Sequence, residues 1–176
     1  MNKLAEVKWN DVSNGDGVCI SIFVQGCPHH CPGCFNQITW DYDGGYEIPK
    51  DFIQTVLSKI KANGIQRNIN LLGGEPLYKK NQSFIKHLIQ EVRKVYPNIK
   101  IFLWTGYTLE ELQKMKNKNI EYILNNINFL IDGRFIEKEK DLTLWLRGSR
   151  NQNIYMLTKK KKYVKIKEKR DIEKYE

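Results

Sequence analysis

The sequence has no run of about 18 apolar residues, so no segment is expected to cross a membrane as a helix. Its first stretch, MNKLAEVKWND, lacks the apolar core of a secretory signal. No phosphate loop of the G-x-x-x-x-G-K-[ST] kind is present, so nothing marks a nucleotide pocket of that type. Internal repeats are absent, and so are low-complexity linkers apart from one lysine-rich stretch near the end. The expected compartment is the cytoplasm, where thiols stay reduced. There, clustered cysteines point to metal or redox duty rather than to disulfides.

What is present fits one globular domain: 176 residues, 41% of them hydrophobic, enough to bury a core. The net charge is +9, unevenly spread. Between Lys159 and Arg170 eight basic residues face one acid, Glu168, a local net of +7. The sequence divides on this basis into a main domain, 1–158, and a basic tail, 159–176. Such a tail can meet nucleic acid or an acidic partner, but it reads first as a solvated, lysine-rich surface strand. Nucleic acid is not the expected partner.

Strand and helix signals alternate. VCISIFVQG (18–26), RNINLLGG (67–74), IKIFLWTG (99–106) and INFLIDG (127–133) are apolar, β-branched stretches that read as strands. Between them, 48–64 carries Phe52, Ile53, Val56, Leu57 and Ile60 at helical spacing. The stretch 82–97 does the same with Phe84, Ile85, Leu88, Ile89, Val92 and Val95. TLEELQKM (108–115) opens with Thr108 and Glu111 placed as a capping box. Alternation of this kind predicts βα units, a parallel sheet and right-handed crossovers. Each strand ends in a loop with unusual residues: the cysteine loop, GGEP (73–76), WTGY (104–107) and DGRF (132–135). In a parallel sheet these loops share one side, where open α/β sheets and barrels place their active sites.

The cysteine loop, GCPHHCPGCFN (26–36), holds Cys27, Cys31 and Cys34. A zinc ion with His29 or His30 as fourth ligand is one reading, although zinc sites usually separate two ligand pairs by a dozen or more residues. An iron–sulfur cluster is the other. A four-iron cubane takes one thiolate per iron, so three cysteines leave one iron open to a substrate. Cys19, mid-strand, reads as a small buried hydrophobe.

CPHHCPGC resembles the cluster motif of the radical S-adenosylmethionine (SAM) superfamily, and GGEP resembles its glycine-rich motif. More narrowly, GCPHHCPGCFNQITW, LLGGEPL, LWTGYTLEEL, FLIDGRF and LRGSRNQ look like the family of anaerobic ribonucleoside-triphosphate reductase-activating proteins, in order, from about residue 9 to 152. The superfamily pattern has an aromatic before the third cysteine. Here Gly33 stands there and Phe35 follows, as in the activating branch. The stretch past residue 158 has no counterpart in the resemblance.

The resemblance implies an α/β fold of the radical SAM type, an incomplete parallel (β/α) barrel, since a full eight-stranded form needs about 250 residues. It implies a [4Fe-4S] cluster on Cys27, Cys31 and Cys34, with SAM chelating the open iron through its amino and carboxylate groups. An external one-electron donor, such as flavodoxin or ferredoxin, would reduce the cluster. SAM would then yield a 5′-deoxyadenosyl radical that takes hydrogen from a backbone glycine of the partner reductase. Gly73 and Gly74 would present backbone to the SAM amino group. Glu75 would accept from that ammonium, and Gly33, Cys34 and Phe35 would lie along the adenine. Asp132, Arg134 and Arg147 are weaker candidates for ligand or partner contacts. Trp104 reads as strand core, and His29 and His30 as surface loop residues. Two other readings remain open: a different radical SAM enzyme, acting on another glycyl-radical enzyme or on a small molecule, and a zinc module that binds nucleic acid through its basic tail.

Overall fold

The computed structural model describes residues 2–175. The β-branched run Cys19–Val24 forms β2 in the interior of the sheet, after β1 (Lys3–Asp11). The other strands are β3 (Tyr46–Glu47), β4 (Asn68–Gly73), β5 (Ile101–Trp104), β6 (Phe129–Asp132), β7 (Asn153–Leu157) and β8 (Tyr163–Ile166). The helices are α1 (Phe52–Ile60), α2 (Gln82–Val95), α3 (Leu109–Lys114) and α4 (Lys118–Leu124). None of the described helices is long and apolar enough to cross a membrane.

The eight strands make one sheet in the order β3-β1-β2-β4-β5-β6-β7-β8. The expected α/β class holds, with β2, β4, β5 and β6 parallel as predicted. The expectation of a parallel sheet throughout needs correction, because every pairing on the two flanks is antiparallel. For two of these pairings, β1–β2 and β7–β8, the reason is the connection. Residues 12–18 and 158–162 are too short to carry a crossover, and antiparallel neighbours can be joined by a short turn. The sheet is open, with β3 and β8 as its edges.

Strand alternation sorts the side chains. Ile20, Ile22 and Val24 of β2, Ile69 and Leu71 of β4, and Ile101 and Leu103 of β5 face the helices in the main core. There they meet Val56 and Ile60 of α1, Leu88 and Val92 of α2, and Ile120 and Ile123 of α4. The other face of the sheet carries Phe23, Leu72 and Trp104, which line a cavity. A smaller core lies towards β8, built from Phe102, Phe129, Ile131, Ile154, Met156, Ile166 and Ile172. Residues of the lysine-rich stretch therefore enter the sheet and this core. Lys169 also reaches back to Asp16 in the β1–β2 connection, at 2.6 Å.

Candidate functional site

The C-terminal ends of β2, β4, β5 and β6 point to one side, and their loops line a single cavity of about 490 Å³. Cys27, Cys31 and Cys34 all border it, with Gly73, Gly74, Trp104, Gly106 and Gly133 from the other three loops. The cysteine loop holds its shape through its own backbone. Gly26 N–H donates to Thr39 O at 2.8 Å, and Cys27 N–H to Trp40 O at 3.1 Å. Cys34 N–H closes a turn on Cys31 O at 3.0 Å.

The thiols differ in setting. Cys27 is buried, and loss of hydration pushes its thiol up to about 11. Burial raises Cys31 as well, more mildly opposed by a backbone hydrogen bond from Phe135. To serve as a ligand, either thiol would have to give up its proton to a metal. Neither histidine of the loop joins them. His30 stacks on Trp40 with centroids 4.9 Å apart. His29 turns to Glu75, Nε2 lying 2.9 Å from Oε2. Among the described residues, no three His, Cys, Asp or Glu side chains converge on one metal ion. The donor set on this loop is thus three spread thiols, which suits a cluster that takes one thiolate per iron better than a single zinc ion.

Both glycines of GGEP stand where a side chain has no room. A Cβ on Gly73, whose φ is +106°, would lie 2.7 Å from Phe23 Cα. One on Gly74 would lie 2.4 Å from Gly26 O. The loop is sewn to the end of β2 by Gly74 N–H to Val24 O and Glu75 N–H to Gly26 O, each 2.8 Å.

Glu75 is fully buried. Its Oε1 accepts from Leu77 N–H at 2.9 Å and from the Thr105 hydroxyl at 2.8 Å. Its Oε2 accepts from Gly106 N–H at 2.7 Å and meets His29. The expectation that this carboxylate accepts from a ligand ammonium meets a group whose acceptor sites are already filled by the protein. His29, read from sequence as a surface residue, has a side chain only 6% exposed and packs edge-on against Tyr107 at 4.5 Å.

The remaining candidates divide. Phe35 borders the cavity, is 56% exposed, and packs against Phe135 at 5.1 Å. Gly33, at φ +71°, faces Glu137 rather than the cavity. Trp104 does more than fill the core: it borders the cavity and donates through Nε1 to Leu146 O at 2.8 Å. Asp132 is buried and structural, accepting from Leu109 N–H at the start of α3 and from Asn153 on β7. Arg134 is exposed and pairs with Glu111 at 3.2 Å. Arg147 borders the cavity and donates to Lys167 O at 3.0 Å.

Residues 13–155 match the family model of a 4Fe-4S single cluster domain. The anaerobic ribonucleoside-triphosphate reductase-activating protein of Vibrio cholerae is 38% identical over 149 residues, 84% of this chain and 94% of that one. Its namesake in Escherichia coli K12 is 37% identical over 148 residues, with the same two coverages. That of Enterobacteria phage T4 is 33% identical, covering 84% of this chain and 90% of its own. The chain belongs to this family of reductase-activating proteins.

For a member of the activating-protein family, the cavity has walls that sequence patterns did not mark. Leu142, Leu144 and Leu146 come from the long β6–β7 connection, and Lys8, Ser13 and Asn14 from the β1–β2 side. Apart from Leu146, the first residue of LRGSRNQ, these positions carry no motif. Only the fold brings them within reach of the cysteine loop.

Proposed function

We propose that this chain is a cytoplasmic radical SAM enzyme, on an incomplete (β/α) barrel, that activates an anaerobic ribonucleoside-triphosphate reductase. One observation carries the reading. The three thiols of a single loop border the same cavity as the Gly73–Gly74 turn, in a chain whose relatives are named as activators of that reductase. Cys27, Cys31 and Cys34 would hold a [4Fe-4S] cluster, leaving one iron for SAM. The chemistry supplied by the bound cluster is one-electron reduction of the SAM sulfonium, fed by a flavodoxin- or ferredoxin-like donor and ending in hydrogen abstraction from a reductase glycine.

The chain's own residues bind, orient and exclude water. A cavity of about 490 Å³ is in the size range of small-molecule sites. Gly73 and Gly74 bring main chain, with no side chain between, to its edge. Phe35, stacked edge-on against Phe135, and the cavity-facing Trp104 offer apolar surface to an adenine. Leu142 and Leu144 add apolar lining. A glycine is a fitting target, because it lacks a side chain and can enter a narrow site.

Anaerobic reconstitution with iron and sulfide tests the site. A brown four-iron protein is expected, with iron lost in Cys27→Ala, Cys31→Ala and Cys34→Ala and retained in Cys19→Ala. A colourless protein that takes up zinc and rejects iron would overturn the reading.

A further inference from the structure

The buried carboxylate of Glu75 joins three loops. It takes Leu77 N–H from its own loop, Thr105 Oγ1 and Gly106 N–H from the loop after β5, and the His29 ring from the cysteine loop. A carboxylate offers about four lone-pair sites, and all are used. Beside a carboxylate, the His29 tautomer that makes a hydrogen bond is the one with its proton on Nε2. His29 lies midway between Cys27 and Cys31, so fixing its ring fixes the path of the chain between two thiols. The ring has little freedom. Tyr107 meets it edge-on, and a Cβ on Gly106 would come within 2.3 Å of it. Both members are buried, with side chains 6% and 1% exposed.

We propose that His29 and Glu75 form a positioning clamp that sets the cysteine loop in register with the Gly73–Gly74 turn. Glu75 acts through the loops and not on the ligand, and His29 is a positioning residue for the SAM site. The inference rests on the proposed SAM chemistry. Its physical basis is that loops hold reacting groups to sub-ångström tolerance only when buried hydrogen bonds lock them. A buried bond to a charged group, lost on one side, leaves the other without a partner.

His29→Phe keeps a ring and removes the donor. His29→Gln restores a donor near the position of Nε2. Glu75→Gln puts an amide N–H₂ against donors of the loops. The first readout needs no cofactor: amide hydrogen exchange of the metal-free protein. His29→Phe should speed exchange in residues 27–36 and 105–107 and leave β4 and β5 unchanged, and His29→Gln should return the rates to those of the parent.

The second readout uses protein reconstituted with iron and sulfide and titrated with SAM, followed by the change SAM causes in the electron paramagnetic resonance of the reduced cluster. His29→Phe should keep its iron and bind SAM about tenfold or more weakly, as expected for losing a charge-assisted bond. His29→Gln should stay within about threefold of the parent. The His29→Phe, Glu75→Gln double variant should lose little more than Glu75→Gln alone, since the His29 bond is already gone in that single variant.

Parent-like SAM affinity in His29→Phe, or full additivity in the double variant, overturns the clamp and returns Glu75 to the ligand. If His29→Phe does not fold, Thr105→Val removes a different donor from the same carboxylate. It must then weaken SAM binding, and parent-like binding overturns the proposal. A parent protein that fails to assemble a cluster or bind SAM sinks the proposed function itself, an outcome separate from any of these.

Discussion

Gly74→Ala adds one methyl group at the seam between the two loops that carry the site. The new Cβ would lie 2.4 Å from Gly26 O and 2.8 Å from Gly26 C, both backbone atoms of the cysteine loop. Ordinary contact begins near 3.4 Å, so the loops must part by about 1 Å, and overpacking of this kind typically costs about 1–3 kcal/mol. Gly74 does not have a positive φ, so the contact alone is at issue. Two hydrogen bonds, Gly74 N–H to Val24 O and Glu75 N–H to Gly26 O, stand to lengthen with it. For a chain of this size each kcal/mol lowers the melting temperature by about 2–4 °C, so a fall of roughly 2–12 °C is expected in the metal-free protein. SAM affinity of the reconstituted variant should fall as well, because the glycine turn and the thiols no longer share their register. Gly64→Ala is the control. It has φ +73° with open space around it, so it carries backbone strain without a clash. It should lose some stability and keep SAM binding intact. Gly74→Ala with parental melting and parental SAM affinity would refute the close-approach argument.

Ile172→Ala tests whether the last residues belong to the fold. Ile172 is 4% exposed in the smaller core, so its truncation should cost about 2 kcal/mol or more and lower the melting point by roughly 4–8 °C. An unchanged melt would show that the segment is detached. Burial also pushes the Cys19 thiol up to about 11, well above the usual thiol range. Since the thiolate is the reactive form, roughly one part in a thousand is reactive at pH 8. Iodoacetamide should therefore spare Cys19 in the metal-free protein at pH 8 and label it only as the pH nears 11. Fast labelling at pH 8 would contradict its burial.

Much of the sheet's centre was legible in the sequence because parallel strands are apolar on both faces and end in glycine-bearing loops. The α3 capping box was legible too: Thr108 Oγ1 accepts from Glu111 N–H, and Glu111 accepts from Thr108 N–H. Helix α1 is shorter than its periodic stretch. Pro49 lies outside it, and Lys61, at φ −117° and ψ 18°, ends the helical path. Strand β1 does carry the period-two pattern of a half-buried strand, Glu6, Lys8 and Asn10 alternating with Ala5, Val7 and Trp9, but its polar face keeps it out of a search for apolar runs. The lysines around β8 masked Ile166 and Ile172 in the same way. His29 was misread for a different reason. Its burial depends on Glu75, 46 residues away, and no local pattern encodes a contact of that range.

In the proposed reaction this chain draws a hydrogen atom from a glycine of its reductase partner. The direct measurement uses reductase carrying α-deuterated glycine, mixed anaerobically with the reduced, reconstituted protein and SAM. Slow formation of 5′-deoxyadenosine is expected without the reductase, faster formation with it, and deuterium in the 5′-deoxyadenosine. If the reductase has no effect on the rate, or if the label stays in the reductase while an organic radical still forms there, this chain does not abstract hydrogen directly from a reductase glycine.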